Sequence, residues 1–211
     1  LVYDFLPYRT LSLQHSVSRT QQFLVSGAEN PNRTNGALTG EDDLFNKSIF
    51  TLNGTFGDAD DFLNPTTGYI IRPTIQLGGV FLRSGVEFAQ VSTELSGYLP
   101  VSSYVELAGR VFAGSTWPFG ESLDNLTLPA NPSDAARREN LIYQNRFSDN
   151  FFYAGGGSDV RGWASRLAGG KVLRKSSVLR EGFAYPPLGA LTQVGVSLAA
   201  RFPLPRLRAP W

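Results

Sequence analysis

The chain has 211 residues, with 22 glycines, 13 prolines, no cysteine, no methionine and a formal charge of +1, a length that suits one or at most two domains. Charged residues make up only 18%, which excludes the low-hydrophobicity, high-charge signature of disorder, and the near-neutral balance offers no basic field for nucleic acid. Without cysteine there is no disulfide framework, thiolate metal site or thiol nucleophile. The lack of methionine suggests that Leu1 is not a natural start, so both ends are read as cut. No run approaches the ~18 to 20 apolar residues of a membrane-spanning helix, which excludes a helical membrane protein but not a β-barrel.

Strand periodicity begins near the N-terminus and does not decay. Leu11, Leu13, His15 and Val17 alternate with Thr10, Ser12, Gln14 and Ser16, and Phe50, Leu52, Gly54 and Phe56 alternate with Thr51, Asn53 and Thr55. Tyr69, Ile71, Pro73, Ile75 and Leu77 then oppose Ile70, Arg72, Thr74 and Gln76. Ala89, Val91, Thr93, Leu95 and Leu99 oppose Gln90, Ser92, Glu94, Ser96 and Tyr98. Val105, Leu107, Gly109, Val111 and Ala113 oppose Glu106, Ala108, Arg110 and Phe112. A last strand sets Thr192, Val194, Val196, Leu198, Ala200 and Phe202 against Gln193, Gly195, Ser197, Ala199 and Arg201.

Each strand reads as roughly nine to eleven residues, longer than the usual ~5 to 6 and suited to a tilted crossing of a bilayer. Arg72, Glu94, Glu106 and Arg110 fall on the face that would be core in a sandwich, whereas a wet barrel lumen accepts whole charges. The connections alternate in length. Gly97 to Ser102 reads as a short turn and Phe119 to Arg146 as a long polar excursion, the habit of outer-membrane barrels. Tyr69, Tyr98, Tyr104, Trp117 and Phe119 lie near strand ends, where an aromatic girdle meets lipid headgroups. A soluble β-sandwich also alternates and stays open as the other reading.

Catalytic and metal chemistry finds little support. The single histidine, His15, sits on the apolar face of its strand, as a structural or lipid-interface residue would. The acidic runs Glu41, Asp42, Asp43 and Asp58, Asp60, Asp61 lack the spacing of a calcium loop and read as solvated loop charges. Matches to Asn-x-Ser/Thr at Asn32, Asn46, Asn53 and Asn125 read as chance. Gly155, Gly156 and Gly157 lack the Lys-Ser/Thr ending of a phosphate loop. No cofactor, metal or catalytic residue is expected.

The same glycines open the most unusual stretch. Arg146 to Trp163 runs through aromatics and three glycines to an arginine, Arg161, set between Val160 and Gly162. Glycine permits positive φ and close backbone approach, so a sharply folded loop is expected. In a barrel lumen the guanidinium, a fork of five donors, would pair with inward carboxylates and fix the loop against the wall. Glu94 and Glu106 are the candidate partners.

At these residues the chain resembles a family. Phe152-Tyr153-Ala154-Gly155-Gly156, followed by Val160-Arg161-Gly162-Trp163, resembles the Val-Arg-Gly-Phe/Tyr signature of the Omp85 superfamily, also called the bacterial surface antigen D15 family. Asn64-Pro65-Thr66-Thr67-Gly68-Tyr69 resembles its Asn-Pro-Thr-Arg-Gly turn, Ser96-Gly97-Tyr98-Leu99-Pro100 its Tyr-x-Pro hairpin, and Ala200-Arg201-Phe202-Pro203-Leu204-Pro205 its Arg-Phe-Pro-Leu strand end. The resemblance covers about residues 1 to 205. Trp163 stands where the family has Phe or Tyr, and Ala199 where it often has Glu.

The resemblance implies an all-β fold, an antiparallel transmembrane β-barrel of which about eight to ten of sixteen strands are present. Residues 1–211 would then be an incomplete C-terminal barrel domain, without POTRA modules and the last strands. On its own such a piece is expected not to close. The implied site is the loop motif Gly155, Gly156, Gly157, Val160, Arg161, Gly162 and Trp163, with Arg161 holding loop and barrel in a competent geometry. The implied function is the assembly, insertion or translocation of outer-membrane proteins without ATP, by an integral protein of the bacterial outer membrane. Its partners would be membrane lipids, unfolded outer-membrane protein clients and accessory lipoproteins or periplasmic chaperones, with no nucleic acid. Two other readings stay open: a two-partner secretion transporter of the same superfamily, and a β-rich surface or adhesin-like binding protein.

Overall fold

The computed structural model describes residues 2–6, 9–22, 43–61, 63–80, 82, 84–155, 166, 168, 174–175, 183–184 and 189–202. The long strands are β1 (Val2–Leu6), β2 (Arg9–Gln22), β3 (Asp43–Ala59), β4 (Gly68–Gly78), β5 (Phe88–Ser102), β6 (Val105–Pro118) and β9 (Thr192–Arg201). Between β6 and β9 lie α1 (Gly120–Leu126), α2 (Asp134–Phe147), a 3-10 turn (Ser148–Asn150) and the two-residue strands β7 (Arg174–Lys175) and β8 (Phe183–Ala184). The seven long strands form one sheet in the order β1-β2-β3-β4-β5-β6-β9, each pair antiparallel. Among the described residues the main sheet holds seven strands, and β7 and β8 pair with each other apart from it. The sheet is open, ending at β1 and β9.

The sheet is built inside out relative to a globular one. Its apolar face is bare: Val194, Val196 and Leu198 are 71%, 67% and 85% exposed, and Leu13, Ile75, Val91, Leu95, Leu107 and Val111 share that face and are exposed too. The opposite face carries Arg72, Glu94, Arg110 and Arg201, and there Ser96 and Thr116 are buried. Bare aliphatic surface of this extent is unfavourable in water and favourable against lipid. From Tyr69 to Leu77 or Val194 to Phe202 the apolar stripe covers eight steps, about 27 Å along the strand and roughly 21 Å in height at a tilt of ~40°. That approaches the ~25 Å apolar band of outer-membrane barrels. No described helix is long and apolar enough to cross a membrane.

Four expectations change. The short turn expected over Gly97 to Ser102 is strand, and the chain reverses at Ser103 and Tyr104, where the Ser102 hydroxyl accepts the Tyr104 N–H at 3.2 Å. Pro100 stays in the strand because the pairing shifts between it and Ser102, a bulge that takes up the missing donor. Four strands run past eleven residues, to 14 in β2, 17 in β3, 15 in β5 and 14 in β6, because the antiparallel pairing with their neighbours continues to their ends. The excursion from Phe119 is helical: Ser133 caps α2 by accepting the Ala136 N–H. Tyr98 also leaves the expected girdle, since its ring lies on the charged face under Arg201.

Both helices pack over the end of the charged face. Phe88 and Val86 are fully buried against Phe147, with Ile49, Leu126 and Phe151 around them. Asn140 on α2 donates to the carbonyls of Asn125 and Leu126, satisfying the C-terminus of α1. Glu87, just ahead of β5, accepts the Glu121 N–H, and its own N–H reaches the Ser122 hydroxyl. Burial pushes the Tyr143 phenol above its ordinary pKa, helped by its hydrogen bond to Glu121.

Candidate functional site

The stretch leading into the arginine motif is fixed to the charged face by a series of contacts. Lys47 on β3 pairs with Asp149 at 3.0 Å, and the Arg146 guanidinium lies over the rings of Phe45 and Tyr143, 5.1 and 4.9 Å from their centroids. Phe147 meets Phe88 edge-on at 5.6 Å and Phe151 at 5.1 Å. The buried Thr116 hydroxyl donates to the Asn150 carbonyl. Phe152 forms a two-way backbone bridge with Ala190, both bonds 2.9 Å, and its ring meets Phe112 of β6 at 5.9 Å.

Glycine makes the last contact possible. A Cβ at Gly114 would sit 2.6 Å from Phe152 Cζ, so the ring rests on bare backbone. Gly155 follows with φ +117°, turning the chain as it enters the motif. Gly156, Gly157, Val160, Arg161, Gly162 and Trp163 lie outside the described residues. On their far side Ala168 donates its N–H to the Ala154 carbonyl at 2.9 Å. The two ends of the motif segment are therefore paired, and the Arg166 guanidinium lies 4.8 Å from the Tyr153 ring.

The two candidate carboxylates are both on the charged face but in different settings. Glu94 is a three-strand node: Arg72 of β4 reaches Oε1 at 3.1 Å and Arg110 of β6 reaches Oε2 at 2.6 Å. It is directly opposite Phe112, the ring that receives Phe152. Glu106 lies six positions further along β6, roughly 20 Å away, and pairs with Arg201 at 2.8 Å. The Arg201 guanidinium also donates to the Pro65 carbonyl at 3.1 Å and covers the Tyr98 ring at 5.4 Å. Three separate sequence motifs thus meet at one side chain. The Asn64–Gly68 turn itself is held by Asp60, which accepts the Thr66 hydroxyl and the N–H groups of Thr67 and Thr66. Those bonds, the Thr66 hydroxyl first, keep its carboxyl well below the usual carboxylate range. Asp61 likewise accepts the Leu63 N–H.

His15 stacks on Phe50 at 4.0 Å and meets the Ser48 hydroxyl at 3.0 Å on the bare face. Ser48 is buried, its N–H donating to the Ser84 hydroxyl and its carbonyl accepting the Gly79 N–H. No group of three or more metal-ligating side chains occurs among the described residues. Sequence reading missed the aromatic seat of Phe88, Phe112 and Phe147 and the Lys47–Asp149 pair. The run of Phe147, Phe151 and Phe152 just ahead of the glycines was the available signal.

An antiparallel sheet with a bare apolar outside, a charged inside and a long loop seated on that inside is the wall of a membrane β-barrel. The sequence profile of the Omp85 superfamily domain matches residues 1–209, and the chain belongs to that superfamily. No curated protein matches it significantly in sequence. Among solved structures, 39 chains match it in fold. One is the crystal structure of BamA from Haemophilus ducreyi lacking POTRA domains 1–3, with a TM-score of 0.68, 16% identity and 99% of this chain covered. The present chain spans 37% of that protein's length, and the likeness is one of fold.

Proposed function

We propose that residues 1–211 are part of the C-terminal barrel domain of an outer-membrane assembly factor, one that inserts or translocates other outer-membrane proteins without ATP. The observation that carries this reading is the seat of the loop: the residues before the Val160-Arg161-Gly162-Trp163 motif are bonded to the charged wall, and Ala154 pairs with Ala168 across it. Flanking residues bonded to the charged wall do not suit an outward-facing adhesive surface. In this reading Arg161 holds loop and wall in register, with Glu94 the candidate carboxylate, since its node adjoins Phe112 and the loop's Phe152. Clients are unfolded outer-membrane proteins, whose strands add to a free sheet edge by backbone pairing. Lipid covers the bare face, and accessory lipoproteins or periplasmic chaperones supply the clients. The strand turns then face the periplasm, and α1 and α2 the outside.

The test is Arg161→Ala in the complete protein. The reading expects outer-membrane protein levels to fall while the variant itself still inserts into the membrane. Unchanged levels of those proteins, with normal amounts of the variant, would contradict it.

A further inference from the structure

Alternation of polar and apolar residues sets the face of a strand but not its absolute register. A one-residue slip turns every side chain to the wrong face, whereas a two-residue slip preserves the pattern. Strand β9 is exposed to that ambiguity. Its outer residues Val194, Val196, Leu198 and Ala200 face lipid, and three of its inner residues, Gly195, Ser197 and Ala199, are small. Leu198 opposite Gly109 is a weak key, being 85% exposed. At the loop end the Ser115 and Thr192 hydroxyls meet at 3.0 Å, a neutral exposed pair. At the other end stands the only charged residue of β9, Arg201, directly opposite Glu106.

We infer that Arg201 is a register lock for β9, and through that strand a positioning residue for the motif loop. The guanidinium meets Glu106 at 2.8 Å, the Pro65 carbonyl at 3.1 Å and the Tyr98 ring at 5.4 Å in the observed register. A two-residue slip one way puts Ala199 opposite Glu106, and the other way puts Arg201 opposite Ala108. Either leaves the half-buried carboxylate without its cation, and charge-assisted bonds are the strongest available on this face. The consequence reaches the far end. Register continues from Glu106–Arg201 to Ser115–Thr192 and on to the bond from the Thr116 N–H to the Leu191 carbonyl. Ala190, the next residue, holds Phe152. A two-residue slip moves Ala190 by about 7 Å and draws Phe152 off Phe112 and Gly114. The side chain at the turn end thereby sets where the loop sits, eleven residues away.

Because the chain has no cysteine, engineered pairs read register directly and independently of any transport activity. In the complete protein, Ala108→Cys with Ala199→Cys reports the observed register and Ala108→Cys with Ser197→Cys the slipped one, which in the observed register is a diagonal pair ~7 to 8 Å apart and too distant to bridge. Adding Arg201→Ala is expected to at least halve the first crosslink and bring up the second. A loop-end pair, Thr116→Cys with Leu191→Cys, should fall in parallel. The exchanged variant Arg201→Glu with Glu106→Arg should restore both registers' original yields. Unchanged crosslinks in Arg201→Ala would overturn the inference. Should that variant fail to accumulate, accumulation of the exchanged variant supports the lock, and its failure too overturns it.

Discussion

Phe152 meets Phe112 edge-on, with ring centroids 5.9 Å apart and 66° between the planes, and this contact joins the loop to the middle of the charged wall. Its floor is Gly114, where an added Cβ would lie 2.6 Å from Phe152 Cζ. Gly114→Val should therefore expel the ring, at about 1 to 3 kcal/mol, while leaving the sheet paired. Limited proteolysis of the inserted protein is the check, with new cleavage in the loop expected and an unchanged pattern contradicting the seat.

Glu94 serves two guanidiniums, so its loss leaves Arg72 and Arg110 facing each other across β5. All three side chains are partly exposed, which discounts the penalty for a broken buried pair to about 1 to 2 kcal/mol. Glu94→Gln should lower the temperature at which the barrel loses its compact gel migration. Pairing it with Arg110→Gln should cost less than the sum of the two single changes, because both remove the same ion pair. Additive losses would show that the node does not act as a unit.

Two glycines on neighbouring strands should respond oppositely to alanine. Gly68 has φ +101° and an added Cβ would strike the Asp58 carbonyl, so Gly68→Ala should cost about 2 kcal/mol or more and disturb the turn that supplies the Pro65 carbonyl. Gly97, directly opposite Tyr69, has nothing within 4 Å of its added Cβ. Gly97→Ala should be neutral within about 0.5 kcal/mol. Thermal denaturation in detergent compares them.

The Asp60 carboxyl titrates below the usual carboxylate range because the Thr66 hydroxyl and the Thr67 and Thr66 N–H groups bond its charged form. A lowered folded-state value means that its contribution is present above the ordinary ~3.9 and is lost as pH falls through the value beneath it. Amide exchange at Thr66 and Thr67 should accordingly stay slow from neutral pH down to about 4. Asp60→Ala should speed it throughout that range. Exchange that already accelerates between pH 7 and 5 would contradict the capping role.

Which face each strand shows to lipid was readable because period-two alternation is a local property: Tyr69 to Leu77 and Thr192 to Phe202 carry it in consecutive residues. Arg72, Glu94, Glu106 and Arg110 were likewise placed on one face. Their partners were not readable, since pairing Glu94 with two arginines or Glu106 with Arg201 depends on register between strands up to 95 residues apart. The turn after β5 was misplaced because Gly97 and Pro100 are turn-like residues, yet Gly97 is paired with Gly109 within the strand and Pro100 sits at a bulge. The Ser133 cap was a local signal for α2, outweighed by the polar composition around it. The convergence of Pro65, Tyr98 and Arg201 lies across 136 residues and becomes visible only in the folded sheet.

The most direct test is reconstitution of the complete protein into lipid vesicles with an unfolded outer-membrane protein added from a chaperone-bound state and no nucleotide present. Client folding several-fold faster than in protein-free vesicles, with the gain lost in Arg161→Ala, is the expected result. Folding at the protein-free rate would contradict an assembly role, and transport of one exported polypeptide into the vesicle instead would assign the barrel to secretion.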